Sequence, residues 1–187
     1  MSEEVDFILD DTKETMQKGI AHLETELTKI RAGKANTSML EGIYVEYYGA
    51  PTPIGQVANV TVVDARTIGI QPWEKNMLQP IERAIIAANL GINPQNDGVL
   101  IRLFLPPLTE ERRRELVKRV NGEGEQAKVV IRSIRRDAIE QIKKLQKDGL
   151  SEDVAKDAEK EVQDLTDRYI ALIEKHLEAK EKDIMTV

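Results

Sequence analysis

The sequence contains no cysteine. That absence excludes disulfides, thiolate zinc sites, iron–sulfur clusters and a cysteine nucleophile. Histidine is nearly missing too, with only His22 and His176. Neither is flanked by a carboxylate pattern resembling a metal motif, so both read as surface residues, and no metal or other cofactor is expected. Aromatics make up 4% of the chain against 32% charged residues, which disfavours a sandwich or barrel packed around rings and favours helices with a solvated face. No apolar run approaches the roughly 20 residues a membrane helix needs, and Met1-Ser2-Glu3-Glu4 is acidic where a signal or transit peptide is basic. A soluble, cytoplasmic protein with no membrane partner is the expectation. Walker loops, nucleophile elbows and Rossmann fingerprints are also missing, and no acid, base and nucleophile converge, so neither catalysis nor a small-molecule substrate is expected.

What is present is charge, unevenly spread. The formal total is −6. Residues 1–29 carry 3 basic and 8 acidic side chains, residues 30–107 carry 6 of each, residues 108–150 carry 12 and 8, and residues 151–187 carry 6 and 11. Between Gln126 and Lys147 there are seven cations and two carboxylates. An evenly acidic protein would be repelled by nucleic acid, whereas this one can offer a polyanion a single face.

Three segments have helical periodicity. Leu9, Met16, Ile20, Leu23, Leu27 and Ile30 form one amphipathic stripe. A second follows Pro106-Pro107, with Thr109 placed to cap and Glu110 and Glu111 at the positive end of the helix dipole; it runs Leu116, Val120, Ala127, Ile131, Ile134, Ala138, Ile142, Leu145. Gly149 supplies a left-handed stop and Ser151 caps a third helix, whose stripe is Val154, Ala158, Val162, Leu165, Tyr169, Leu172 or Ile173, and Leu177. A helix over 109–147 would be about 60 Å long, too long for a small globule. Three such helices, each apolar on one stripe, predict an elongated antiparallel three-helix bundle. Asn121-Gly122-Glu123-Gly124 permits a kink in the second helix.

Residues 31–107 read differently. Five of the seven prolines lie inside this stretch and two close it. Short β-branched or aromatic runs at 43–47, 57–63, 66–71 and 99–104 alternate with turn residues, and Leu78, Ile81, Ile85 and Ala88 mark one helix ending at Gly91. The helix between the last two strands predicts a parallel crossover. Met39 and Leu40 are expected in the core and at least one of Tyr44, Tyr47 and Tyr48 outside, while Trp73 is either an exposed contact residue or, the better reading, a partly buried cover for the sheet. The fold class is therefore α+β: a bundle of residues 1–30 and 108–187 with a small β/α/β domain, 31–107, inserted between its first and second helices. The crossings, Ala32-Gly33-Lys34 and Leu105-Pro106-Pro107, are either a hinge of limited arc or simply a domain boundary.

At about 100° per residue with Arg132 at zero, Lys128 falls at about 320°, Arg135 at about 300°, Arg136 at about 40° and Lys143 at about 20°, while the apolar stripe centres at about 235°. The cations form their own lane, which Arg114 and Lys118 extend if the helix is continuous. Such a lane suits phosphates, to which arginine offers a bidentate fork. More commonly a charge run is a solvated face paired with acidic neighbours.

Six ordered segments resemble the bacterial ribosome recycling factor family: Ile30-Arg31-Ala32-Gly33-Lys34-Ala35-Asn36, Val45-Glu46-Tyr47-Tyr48-Gly49, Asp64-Ala65-Arg66-Thr67, Leu90-Gly91-Ile92-Asn93-Pro94 with Asn96-Asp97-Gly98, Leu105 through Arg113, and Ile131 through Ala138. The resemblance implies a three-helix rod and a hinged head that together mimic the L shape of a tRNA. It implies ribosome recycling: after termination the factor binds large-subunit RNA and, with elongation factor G and GTP, promotes subunit separation, the GTP being hydrolysed by the elongation factor. By motif position, Arg132 matches the family's RNA-contacting arginine, Lys128, Arg135 and Arg136 are its lane neighbours, and Arg31 matches an arginine at the rod–head junction. The head is implied as the elongation factor's contact, and the chain as a monomer. Departures from the pattern are Phe104, where many members have proline, and Ile139, where a polar residue is common. The competing expectation is a ribosome-independent helical adaptor or chaperone that binds proteins through the bundle surface.

Overall fold

A computed structural model describes residues 2–186. The chain divides into two compact units, one running through Ala32 and resuming at Glu110, the other Gly33–Thr109. In the first unit, α1 (Glu3–Lys29), α3 (Glu110–Lys147) and α4 (Glu152–Met185) pack against one another. Each start has a physical cause. The Ser2 hydroxyl accepts from the Val5 N–H and the Ser151 hydroxyl from the Val154 N–H, both at 3.3 Å, and the first turns carry Glu3, Glu4 and Asp6, and Glu152 and Asp153; hydroxyl and carboxylates together satisfy the free N–H groups and the helix dipole. Between α3 and α4, Gly149 adopts φ +116° and the Leu150 N–H bonds the Leu145 carbonyl at 2.9 Å, a left-handed cap that lets α4 run back along α3.

The predicted stripes are the ones that pack. Leu9, Met16, Ile20, Leu23, Leu27, Leu116, Val120, Ile131, Ala138, Ile142, Ala158, Val162, Tyr169, Ile173 and Leu177 are all buried. At ~1.5–3 kcal/mol per large apolar side chain removed from water, these contacts hold the helices together. The buried hydroxyls of Thr12 and Thr166 are satisfied within their own helices, bonding the Ile8 and Val162 carbonyls at 2.6 and 2.8 Å.

The α3 helix is unbroken through Gly122 and Gly124. Gly122 is exposed with open space where a Cβ would sit, whereas Gly124 is buried and a Cβ there would overlap the Leu177 methyls of α4. The second glycine is therefore an approach point for two helices and not a kink.

In the second unit, β1 (Tyr44–Tyr47) and β2 (Ala50–Pro53) form an antiparallel hairpin. Its two-residue turn puts Tyr48 at φ +48° and Gly49 at φ +82°, the double left-handed geometry of a type I′ turn. A four-stranded sheet of order β3-β4-β6-β5 follows, from β3 (Ala58–Asp64), β4 (Thr67–Pro72), β5 (Pro94–Asn96) and β6 (Ile101–Phe104), with α2 (Leu78–Ala87) between β4 and β5. The sequence reading misses β2 and β5, which are short and proline-bearing; both are edge strands, where a missing N–H costs no ladder bond.

The missed β5 overturns the expected parallel crossover. β4 and β6 pair antiparallel. The helix returns into β5, which is antiparallel to β6 and so runs parallel to β4, and a tight turn then folds β6 back between them. Asp97 builds that turn, its Oδ1 accepting from the Val99 and Leu100 N–H groups at 2.9 Å. Trp73 also departs from expectation: it is 67% exposed, because Ile68, Ile70, Ile101 and Leu103 of the sheet already close the core against Ile81 and Ile85 of α2. Leu40 is in that core and Met39 packs partly against it. Tyr44 and Tyr48 point outward, while Tyr47 is half-buried.

Candidate nucleic-acid interface

The lane on α3 separates into two kinds of cation. Arg132 and Arg136 are exposed, one turn apart, and neither has an ion pair or hydrogen bond among the described residues. Lys118 and Lys143 are likewise exposed and unpaired. Lys128 and Arg135 sit closer to the apolar stripe, at the seam with α4, and α4 holds them. The Lys128 ammonium pairs with Glu174 and, at 3.4 Å, with Glu125, and these carboxylates push its pKa upward. The Arg135 Nη1 donates to the Gln163 Oε1 at 3.0 Å, and Gln163 donates in turn to Asp167 at 2.8 Å. The Arg135 Nε is buried without a partner. Arg114 is engaged as well, by Glu110 at 2.7 Å, although both are largely exposed.

The lane is thus not uniform. Glu125 lies on it between Lys118 and Arg132, and half-buried Ile139, packed against the bundle core, interrupts it between Arg136 and Lys143. The bare centre is Arg132 with Arg136. Like charges four residues apart on a helix cost roughly 0.2–0.5 kcal/mol, where a carboxylate at either position would gain as much. Glu140, one turn past Arg136, offsets part of that cost for Arg136, but the charged residues one turn from Arg132 are all cations, Lys128, Arg135 and Arg136. Two adjacent guanidinium forks aimed at solvent are arranged to meet an external anion bearing several oxygens.

The remaining sites from the sequence lie elsewhere. Arg31 is exposed just past the end of α1, without a partner among the described residues. Ala32 closes the first unit's early segment, Gly33 and Lys34 open the second, and Leu105, Pro106 and Pro107 lie near its end. Gly33 has φ +73°, and a Cβ there would stand 2.6 Å from Leu108 Cγ. Leu105 is buried and its N–H bonds the Arg66 carbonyl at 2.8 Å, while the Ala35 N–H bonds the Ala65 carbonyl at 2.8 Å, so both ends of the second unit are fastened to one loop. His22 is exposed and His176 meets Glu24 at 3.2 Å. Among the described residues no cluster of three or more His, Cys, Asp or Glu could hold a metal, and no helix is long and apolar enough to cross a membrane.

The charge reading could not tell free cations from fastened ones. The signal was in the wheel angles, since the two cations nearest the apolar stripe are the two that α4 holds.

The sequence model of the ribosome recycling factor family matches residues 23–185. The chain is 57% identical to the ribosome-recycling factor of Flavobacterium johnsoniae over the whole of both chains. It is 55% identical to that of Cytophaga hutchinsonii, with 99% of this chain and all of the relative covered. It is 56% identical to that of Ralstonia pickettii over 95% of this chain and 96% of the relative. Among solved structures it is similar to a solution structure of the ribosome recycling factor, with TM-score 0.73 and 43% identity over the whole of both chains. A second similar chain belongs to a structure described as models for the T. thermophilus ribosome recycling factor and the E. coli elongation factor G bound to the E. coli post-termination complex. There the TM-score is 0.60 and the identity 44%, over 97% of this chain and 99% of that one.

Proposed function

Because the chain belongs to the ribosome recycling factor family, we propose that the bare arginines of α3 are its contact with ribosomal RNA and that the β/α/β unit is the part on which elongation factor G acts. The protein works in ribosome recycling: it binds the large ribosomal subunit after termination and, with elongation factor G and GTP, promotes separation of the subunits. One observation carries the assignment of the contact. In an acidic protein, Arg132 and Arg136 stand one turn apart on one face of α3, both exposed and neither with an ion pair or hydrogen bond among the described residues.

Arg132 and Arg136 supply phosphate affinity through charge-assisted, bidentate hydrogen bonds and counterion release. Lys128 and Arg135, fastened to Glu174 and Gln163, fix the turn of α3 on α4 and so aim the lane. Arg31 adds a cation at the end of α1. Ala32-Gly33-Lys34 and Leu105-Pro106-Pro107 act as the hinge through which force on the head reaches the rod. GTP turnover belongs to the elongation factor and not to this chain. It acts as a monomer in the cytoplasm.

Light scattering of post-termination ribosomes, supplied with elongation factor G and GTP, tests this directly. Scattering should fall as subunits separate only when the protein is added. No change on its addition would refute the reading and favour an adaptor that works away from the ribosome.

A further inference from the structure

Between α1 and α4, away from the α3 lane, lies a groove of about 520 Å³. Its floor is apolar, formed by Ile20, Tyr169 and Leu172, and its rim carries Gln17, Arg168, Ala171 and Lys175; no carboxylate lines it. That is unexpected where it stands, because the segments bearing α1 and α4 each carry five more acidic than basic groups. Several of the nearby carboxylates are turned to other partners, and Asp164 and Glu178, one turn along α4 from Arg168 and Lys175, stand outside its lining. Glu14 pairs with Lys18 at 3.1 Å, Glu24 with His176 at 3.2 Å and Glu174 with Lys128, while Asp167 accepts from Gln163 at 2.8 Å. Arg168 and Lys175 have no partner among the described residues, and both are exposed.

The spacing adds direction. Arg168 and Lys175 stand seven residues apart on α4, two cations on one edge of the groove about 10 Å apart along the helix. An apolar trough with cations two turns apart along one edge is the complement of an amphipathic helix that has an apolar stripe and carboxylates at heptad spacing. A polyanion such as RNA fits less well: it has no apolar stripe for the floor, and beyond the groove it would run along the acidic surfaces of α1 and α4. The α1–α3 groove gives no such direction, because Lys18, His22 and Glu26 of α1 and Glu123 of α3 line it with both signs of charge.

We propose that the α1–α4 groove is a docking site for an acidic amphipathic helix of a protein partner, which packs its apolar stripe on Leu172 and Ala171 and sets carboxylates against Arg168 and Lys175. The site lies on a different face from the bare arginines, so its occupancy is independent of phosphate binding at Arg132.

A designed, fluorescein-labelled helical peptide of three heptads, with leucine on one stripe and glutamate beside it, is the probe. Anisotropy and amide chemical shifts of the full-length protein are the readouts. Saturable binding is expected, with shifts centred on Ile20, Ala171 and Leu172. The lysine-for-glutamate and serine-for-leucine peptides should fail to bind. Arg168→Glu with Lys175→Glu should weaken binding at least about tenfold with the helical circular dichroism unchanged, and Ala171→Trp should block the groove without altering charge. Binding of neither peptide, equal binding of the charge-inverted one, displacement by a uridine 12-mer, or shifts centred on Arg132 would each overturn the proposal.

Discussion

Lys128 is held by Glu174 across the seam between α3 and α4, while Arg132, one turn further along α3, has no ion pair or hydrogen bond among the described residues. Two cations of one lane are therefore held differently. Lys128→Ala should leave the affinity for large subunits within about threefold and instead loosen the bundle, since it strands Glu174 without its partner. The pKa of Lys128 is raised in the fold, so the stability it contributes is fully present below the unfolded lysine value of about 10.4 and is lost as pH rises through the folded value. Thermal unfolding from neutral to strongly alkaline pH should show the wild type losing more stability than Lys128→Ala; parallel curves would count against the pair.

Gly122 and Gly124 make an internal control. At Gly124 a Cβ overlaps Leu177, and overpacking costs roughly 1–3 kcal/mol, outweighing a gain of about 1 kcal/mol in helix propensity. At Gly122 the space is open and only the gain remains. Gly124→Ala should lower the denaturant midpoint and Gly122→Ala should raise it. Equal effects would mean that α3 and α4 do not meet closely at this point.

Gly33 combines a left-handed backbone, φ +73°, with contact against Leu108. Gly33→Ala carries the ~1–2 kcal/mol of a left-handed alanine as well as the overlap. It should destabilise the β/α/β unit by roughly 2 kcal/mol or more, with Leu108→Ala recovering only the steric part. Full recovery in the double variant, read by urea unfolding, would show that the backbone term is negligible.

Two turns of the same unit depend on carboxylates. Asp64 accepts the Arg66 N–H, and Asp97 accepts those of Leu100 and Val99; these backbone bonds hold both carboxyls below the usual aspartate range. With folded values depressed, their contribution is present above the unfolded aspartate pKa of about 3.9 and is lost as pH falls below it. Asp64→Asn and Asp97→Asn should each flatten the acid limb of the stability profile, measured by thermal melts between about pH 2 and 6. An unchanged limb in the double variant would dismiss these turns as acid-sensitive points.

Periodicity made the bundle legible because each long helix buries one stripe. Cap residues marked one stop and the next start for the same reason: Gly149 and Ser151 satisfy backbone groups locally, with no help from distant contacts, whereas the Ser2 cap of α1 was not read from the sequence. The small unit was less legible. Its β2 and β5 carry no alternation, and prolines hid them, so the direction of β6 was read wrongly. Trp73 was misplaced because a ring gives no hint that isoleucines have already filled the core beneath it. On the lane, residue type revealed the cations, but only the packing of α4 revealed which of them it holds.

The central claim rests on Arg132 at the bare centre of the lane. Binding to isolated large subunits, measured by sedimentation across a salt series for wild type and Arg132→Glu, tests it most directly. A lost charge-assisted contact of ~1.5–3 kcal/mol predicts affinity at least about tenfold weaker and a log–log salt slope smaller by about one, with the helical circular dichroism intact. Affinity and slope equal to wild type in a folded variant would contradict the account.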